Sequence, residues 1–270
     1  MNQDMLFNVT NECVVITGVC GQLGSEYAKA FLERGATVCG IDLRPSPVSK
    51  ALSTAYPEKF LLCTSDIVSK GSLLQTLETI TAKFGPPTVL INNAALDSPP
   101  SAPPEENGPF EDYPEASWDK VMEVNIKGTF LCCQVFGGAM AKAGRGSIIN
   151  IASIYGVVAP DQNIYEYRRK RGETFFKPAA YATSKSAILN LTRYLATYWA
   201  PKNVRVNTLT ISGVFNNQEQ AFLDAYCGRI PVGRMANADE YNGAVLFLAS
   251  NASRYMTGSN LVIDGGWTVI

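Results

Sequence analysis

Seven short apolar runs recur along the chain, at 13–16 (Cys-Val-Val-Ile), 36–41, 60–63, 88–91, 147–151, 204–209 and 261–263. Most are continuous apolar stretches, not alternating ones, and rich in β-branched types, which suits strands of a parallel sheet covered on both faces. Between them, apolar positions three and four apart predict helices over 22–34, 70–84, 116–142, 179–200 and 238–250. Strand–helix alternation of this kind predicts a doubly wound parallel α/β sheet of about seven strands, with helices on both faces. No internal repeat or dividing linker interrupts it, so one domain over 1–270 is expected.

Two stretches break the rhythm. Residues 97–114 are rich in proline, and 155–180 carry Arg168-Arg169-Lys170-Arg171 and several aromatics without a helical period. Both read as long loops, a length uncommon unless function or disorder accounts for it.

Composition narrows the chemistry. Of 270 residues, 46% are hydrophobic and 17% charged, ordinary for a globular protein. Lys and Arg total 23 against 24 Asp and Glu, a net charge of −1, without the basic excess of a nucleic-acid binder. No apolar run approaches the roughly 20 residues that span a bilayer. Met1–Thr10 has neither a basic start nor an apolar core segment, so a cytoplasmic protein away from membranes is expected. Histidine is absent. That excludes Ser-His-Asp hydrolysis, Cys-His proteolysis and His-ligated zinc, and leaves acid–base work to Tyr, Lys, Asp, Glu or Cys. The seven cysteines contain no CxxC and read as reduced core residues, not metal ligands or disulfides.

Thr17-Gly18-Val19-Cys20-Gly21-Gln22-Leu23-Gly24 follows the first strand and opens the first helix. Gly18 permits a tight turn, Gly21 lets backbone approach an anion, and Gly24 lets the helix pack closely on the strand. The helix N-terminus then offers N–H groups and a positive dipole end to a pyrophosphate. Asp42 closes the second strand, where a carboxylate accepts hydrogen bonds from ribose hydroxyls and repels a 2′-phosphate. That favours NAD(H); Arg44 close by keeps NADP(H) as the alternative. Asp66 and Asn92-Asn93-Ala94-Ala95 fall at the carboxyl ends of the third and fourth strands, where ligands of open α/β sheets sit. For Asp66 a helix N-cap is the competing role.

Tyr181 and Lys185 stand four apart at the start of a helix, so both project from one face. An ammonium near a phenol favours the phenolate and lowers a pKa that is ordinarily about 10. Without histidine this is the foremost acid–base pair, although Tyr-x-x-x-Lys alone more often marks a helix surface.

Together with Asn125 and Ser153, these motifs resemble the short-chain dehydrogenase/reductase family, single-domain type. The similarity runs from Val14 to Thr257-Gly258 and Val262-Ile263-Asp264-Gly265-Gly266. It implies a Rossmann-type fold and hydride exchange between nicotinamide and a secondary alcohol or ketone. Tyr181 then handles the proton at the substrate oxygen, and Lys185 lowers the tyrosine pKa and holds the nicotinamide ribose. Ser153 hydrogen-bonds the reacting oxygen, and Asn125 supports a water-mediated proton relay. Cofactor contacts are implied at Gly18, Gly21, Gln22, Leu23, Gly24, Asp42, Asp66, Ile67, Asn93, Ala94, Ala95 and Val214, besides Tyr181 and Lys185. A homo-oligomer, tetramer or dimer, is implied through the helices bearing Asn125 and Tyr181 and the C-terminal strand.

The chain departs from the family pattern in three places. Gln22 stands where short members carry their second glycine, as in extended members that are often sugar-nucleotide epimerases or dehydratases. The stretch after Lys185 is too short for the larger substrate domain of those enzymes, so an epimerase or dehydratase stays as the minor alternative. Ile211-Ser212 replaces the usual Pro-Gly, and Asn216 stands where a threonine is expected near the carboxamide. The stretch from Ser153 to Tyr181 is more than a dozen residues longer than usual and must pass beside the substrate pocket. Tyr155, Arg168, Arg171 and Asn216 are the candidate substrate contacts, with the basic run either an anion clamp or a solvated face. Segments such as Ser153–Pro160 and Gly233–Asn237 are similar to a bacterial subgroup associated with flagellin-glycan and surface-polysaccharide sugars. A small-molecule sugar derivative is the implied substrate, and a non-catalytic dinucleotide sensor is the rival from another class.

Overall fold

The computed structural model describes residues 5–97 and 103–270. Seven parallel strands form one sheet: β1 (Cys13–Thr17), β2 (Thr37–Asp42), β3 (Phe60–Thr64), β4 (Val89–Asn92), β5 (Gly146–Ser153), β6 (Val204–Ile211) and β7 (Asn260–Ile263). Their order is β3-β2-β1-β4-β5-β6-β7. Winding therefore reverses between β1 and β4, which opens a crevice at their carboxyl ends.

The helices are α1 (Gln22–Leu32), α2 (Pro47–Ala55), α3 (Lys70–Phe84), a long α4 over 115–143, α5 (Glu166–Lys170), α6 (Ala179–Trp199), α7 (Gln220–Cys227) and α8 (Asn242–Ala249). Strand alternation splits the apolar residues between two layers. Val14, Ile16, Val38, Ile91 and Leu209 pack under Tyr27, Phe31 and Leu248 of α1 and α8. Val15, Cys39, Leu90, Ile148 and Val206 face the other way, under Leu73, Phe136, Met140 and Trp199 of α3, α4 and α6. Each such fully buried side chain contributes roughly 1.5–3 kcal/mol, so both layers are needed to hold the sheet.

Buried polar groups run through the second layer. Asn92 Nδ2 donates to Asn150 Oδ1 at 2.8 Å, and Asn150 Nδ2 to Thr192 Oγ1 at 2.9 Å. Thr208 Oγ1 donates to the same threonine at 2.8 Å. Buried amides are costly without partners, so this chain holds β4, β5, β6 and α6 in one mutual setting. Helix α4 contains two π-turns, at Glu123–Gly128 and Cys133–Gly137.

Three helices lie outside the expected spans: α2, α5 and α7. α2 begins with a reciprocal cap between Ser46 and Ser49 and has proline in its first turn, so local polar chemistry starts it. The long 155–180 segment is partly helical: a 3₁₀ turn over Gln162–Tyr165 leads into α5. The described part of 97–114 holds 3₁₀ turns at Pro104–Glu106 and Phe110–Asp112; residues 98–102 lie outside the described set. The two long segments meet where Phe176 N–H donates to the Asn107 carbonyl at 2.8 Å.

A third, smaller core covers the carboxyl ends of β5 and β6. Tyr155, Tyr165 and Phe175 of the long segment pack with Phe222, Tyr226 and Trp267 from the C-terminal part. Ring centroids lie 4.6 Å apart for Tyr165–Phe175 and 4.5 Å for Tyr226–Trp267, within the range of favourable aromatic contact.

Candidate active site

The glycine-rich turn leaves β1 with Gly18 at φ +68°, where a Cβ would stand 2.9 Å from the Ala94 Cα. At Gly24 a Cβ would stand 2.2 Å from the Gly18 carbonyl oxygen, so α1 sits directly on the turn. Gly21 caps α1 with no side-chain hydrogen bond, and no acidic residue lies in its first turn. The N–H groups of Gln22, Leu23 and Gly24 thus begin a helix whose positive end no side chain of its own answers.

Gly18, Gly21, Asp42, Asp66, Ile67, Asn93, Ala94 and Ala95 line one cleft of about 510 Å³, with Arg44 also in its wall. Asp42 is oriented there by two backbone donors, Cys20 N–H at 2.9 Å and Leu43 N–H at 2.8 Å. A carboxylate has lone pairs beyond these two, so it still accepts from a diol. Asn93 holds the floor: its Nδ2 donates to the Thr17 and Gly18 carbonyls at 3.0 and 3.2 Å. Asp66 does not cap α3; Ser69 does, accepting from Ser72 N–H, while Asp66 accepts from Val68 N–H at 3.1 Å. An anion-ready helix end, a close backbone and a diol-accepting carboxylate in one cleft fit an adenine dinucleotide. A larger depression of about 1030 Å³ lies at the opposite end of the sheet, around Glu12, Thr88, Arg145 and Arg205, away from these groups.

Ser153 ends β5, buried, with its hydroxyl accepting from Tyr155 N–H at 3.2 Å and close enough to the Tyr181 phenol to lower its pKa. Lys185, one turn along α6, is buried and donates to the Ile151 carbonyl at 2.8 Å. Its Nζ stands 5.8 Å from the Tyr181 ring centre. The expected effect of Lys185 on the phenol is not what the geometry gives. Desolvation dominates and drives the Tyr181 pKa up, the Asp97 charge adds to it, and only the Ser153 hydrogen bond pulls it down. The ammonium is committed to a carbonyl, and burial pulls its own pKa down to about 8. Without a nucleotide, Tyr181 is a neutral acid.

Asn125 lies in the first π-turn of α4, where its side chain clamps the strand-end loop. Its Oδ1 accepts from Leu96 N–H at 2.7 Å, and its Nδ2 donates to the Leu96 carbonyl at 3.0 Å and to Ser184 Oγ at 2.9 Å. Ser184 in turn donates to the Tyr181 carbonyl at 2.7 Å. Asn125 therefore couples the loop after β4 to the helix carrying Tyr181 and Lys185. Tyr155 is buried beside this group in the aromatic core.

The remaining candidates are placed elsewhere. Arg168 pairs with Glu173 and lies 4.3 Å from the Phe175 ring centre; Arg171 pairs with Glu219 at 3.0 Å and lies 5.2 Å from the Tyr167 ring centre. Arg169 holds Glu166 and the Gln162 and Phe175 carbonyls. Arg168 and Arg169 thus tie the long segment together, Arg171 ties it to the start of α7, and Lys170 and Arg171 remain exposed, as the solvated-face alternative expects. Asn216 is exposed, its N–H donating to Gln218 Oε1 at 2.8 Å. Val214 bridges Ala236 and accepts from Gln218 Nε2 at 2.9 Å, and Gln22 reaches across to the Phe215 carbonyl at 2.8 Å.

Two groups beside Tyr181 carry no sequence signal. Lys177 is buried, its Nζ 5.0 Å from the Tyr181 ring centre, and it pairs with Asp97. Eighty positions separate them, so neither motif nor periodicity joins them. Among the described residues, no three His, Cys, Asp or Glu side chains assemble as metal ligands.

Known proteins show the same arrangement of chain. A family profile described as short chain dehydrogenase matches residues 12–167, and one described as Enoyl-(Acyl carrier protein) reductase matches 167–268. An NAD-dependent glycerol dehydrogenase of Listeria innocua is 32% identical, over 98% of this chain and 97% of its own. A short chain dehydrogenase from Leptospira borgpetersenii, solved with bound NAD+, superposes with a TM-score of 0.86 at 33% identity, covering 99% of this chain and 97% of the other. A gluconate 5-dehydrogenase from Burkholderia cenocepacia, in complex with NADP and tartrate, gives 0.84 at 26%, covering 98% of both. With the first profile spanning over half its length, the chain belongs to the short-chain dehydrogenases, oxidoreductases that act on alcohol groups.

Proposed function

We propose that this dehydrogenase interconverts a secondary alcohol and its ketone on a polyol or sugar derivative, with NAD(H) as the cofactor. The observation that carries the reading is buried Ser153 beside the Tyr181 phenol, with buried Lys185 Nζ 5.8 Å from the Tyr181 ring centre, on the carboxyl side of the sheet where the dinucleotide cleft opens. When bound, the dinucleotide supplies the hydride acceptor or donor. Ser153 holds the substrate oxygen, and Tyr181 takes its proton in oxidation or returns it in reduction. Lys185 holds the nicotinamide ribose, and Asn125 positions Leu96 and α6. Gly18, Gly21, Gln22, Leu23 and Gly24 take the pyrophosphate, while Asp66, Ile67, Asn93, Ala94, Ala95 and Val214 flank the nucleotide. Asp42 selects NAD(H) over NADP(H) through the ribose hydroxyls; relatives of both preferences exist, as the NAD+ and NADP complexes illustrate.

Several features support the finer reading. The glycerol dehydrogenase relative acts on a polyol. Residues 108–113 and 155–186 enclose a second cleft of about 760 Å³ against α6, lined by Tyr155, Phe176 and Lys177. Within that reading, residues 1–270 form one dinucleotide-binding domain with its long loops at the substrate side. A role in surface-glycan sugar biosynthesis rests on the sequence similarity of Ser153–Pro160 and Gly233–Asn237 and demands the same chemistry. Seven free cysteines suit a cytoplasmic setting, and no described helix is long and apolar enough to cross a membrane. Exposed Phe130, Tyr194 and Tyr198 on α4 and α6, and Val262 on β7, suit a homo-oligomer.

The test is NADH absorbance with neutral polyols, sugar acids and simple secondary alcohols, run with both nucleotides. Turnover of a polyol with preference for NAD+ is expected. Tight NADH binding without turnover of any alcohol or ketone would instead favour a dinucleotide sensor.

A further inference from the structure

The loop after β6 is fastened to the glycine-rich turn by a side chain. Gln22, the first residue of α1, donates from Nε2 to the Phe215 carbonyl at 2.8 Å. In the sheet β1 and β6 stand three places apart, about 14 Å at the usual strand spacing. The loop and the Gln22 side chain together therefore cross the carboxyl ends of β4 and β5. Both ends of this crossing are anchored. α1 is seated on the turn through Gly24, where no Cβ fits. On the other side Phe215 N–H donates to the Ala236 carbonyl at 2.8 Å, and Ala236 N–H to the Gly213 carbonyl at 3.3 Å. Gly213 N–H donates to the Tyr226 hydroxyl at 2.9 Å. Leu23 and Val214, one beside each end, pack against the same apolar core. The Gln22 side chain is thus the movable member between two fixed walls, and it is exposed. Exposed side chains change rotamer within nanoseconds, so this one opens and closes freely.

We propose that Gln22 is a positioning residue that straps the mouth of the pyrophosphate site, so that a dinucleotide enters and leaves only while the Gln22–Phe215 hydrogen bond is open. The proposal rests on reading the glycine-rich turn as the pyrophosphate site. A dinucleotide reaching from Asp42 at the end of β2 to Ser153 at the end of β5 passes the start of α1, where the strap lies. Both partners of the bond belong to the protein, so its free energy does not depend on the nucleotide. It therefore slows entry and exit alike and leaves the dissociation constant nearly unchanged. A glycine in place of Gln22, as in short members of the family, has no side chain with which to close.

The test is stopped-flow NADH fluorescence on the full chain, with association read on mixing and dissociation read by displacement with excess ADP-ribose. Gln22→Met keeps the length of the side chain but has no donor. In it both rate constants are expected to rise about 3- to 10-fold, the weight of one exposed hydrogen bond, with Kd within about twofold. Gln22→Gly, the short-member pattern, is expected to give the same result and serves if the first variant fails to fold. A purely structural role would lower the thermal midpoint without speeding association. Unchanged rates in a folded variant overturn the proposal. Faster dissociation alone also overturns it, since that marks a direct contact with the nucleotide; either result leaves the dehydrogenase reading standing. A wild type that binds no NADH overturns both.

Discussion

The nucleotide half and the substrate half of the site are built by different means. Around β1, α1 and β4, position comes from backbone: a glycine at positive φ, carbonyl contacts that admit no Cβ, and an Asn93 side chain bonded to main-chain oxygens. Around Tyr155 and Phe175, position comes from packed rings and from ion pairs between segments far apart in the chain. Backbone geometry specifies a ligand part common to many substrates. A side-chain core can be rebuilt without disturbing it, which is how one fold serves many alcohols.

Changes at the two halves should separate these roles. The largest effect is expected from Tyr181→Phe, which should lower kcat by about 100- to 10,000-fold while NADH affinity, followed by fluorescence titration, stays within a few-fold. Because burial raises the phenol pKa, wild-type alcohol oxidation should accelerate as pH rises toward the alkaline range, and ketone reduction should slow. Gly18→Val places a branched side chain at positive φ against Ala94 and should weaken NADH binding by about 100-fold or more, with a lower melting temperature. Asp42→Ala removes the ribose acceptor and its charge, so the NAD+/NADP+ ratio of kcat/KM should fall about 10- to 100-fold. Phe175→Ala empties the centre of the aromatic core. It should cost about 3 kcal/mol in denaturant unfolding and raise substrate KM, with NADH affinity retained; parallel loss of NADH binding would show that the halves are not separable. The smallest effect belongs to Arg171→Ala: its pair with Glu219 is exposed, so stability should change by about 1 kcal/mol or less, and KM by less than about twofold.

The same division decides what can be read without coordinates. Runs such as Cys13–Ile16 and 89–91 are apolar throughout because both sheet faces are covered, so these strands stand out. The glycine turn is legible because steric exclusion leaves few residue choices. α2 is hidden from apolar periodicity but has a signal in Ser46, Pro47 and Ser49, whose capping chemistry is local. The basic run misleads in part, because Glu166 and Glu173, which pair with Arg169 and Arg168, sit within a few residues of it. Asp97 with Lys177, and Gln22 with the Phe215 carbonyl, are different in kind. Those pairings depend on three-dimensional packing of loops, and no local pattern encodes them. The pKa of Tyr181 is likewise a property of enclosure, which spacing along a helix does not report.

The π-turns of α4 bear on how this protein can vary. Each widened turn holds one residue more than an α-turn would, so everything after it is shifted in phase about the helix axis. An α-helix advances about 100° per residue. Deleting one position from a regular α-turn of α4 would swing the residues beyond it about 100° off their face, whereas deleting one between Glu123 and Gly128 would let that turn close to an α-turn with Phe136 and Met140 still on the sheet. Lineages of this chain should therefore tolerate length changes in the loops before α4 and after β5, and within α4 only the loss of a π-turn's extra residue.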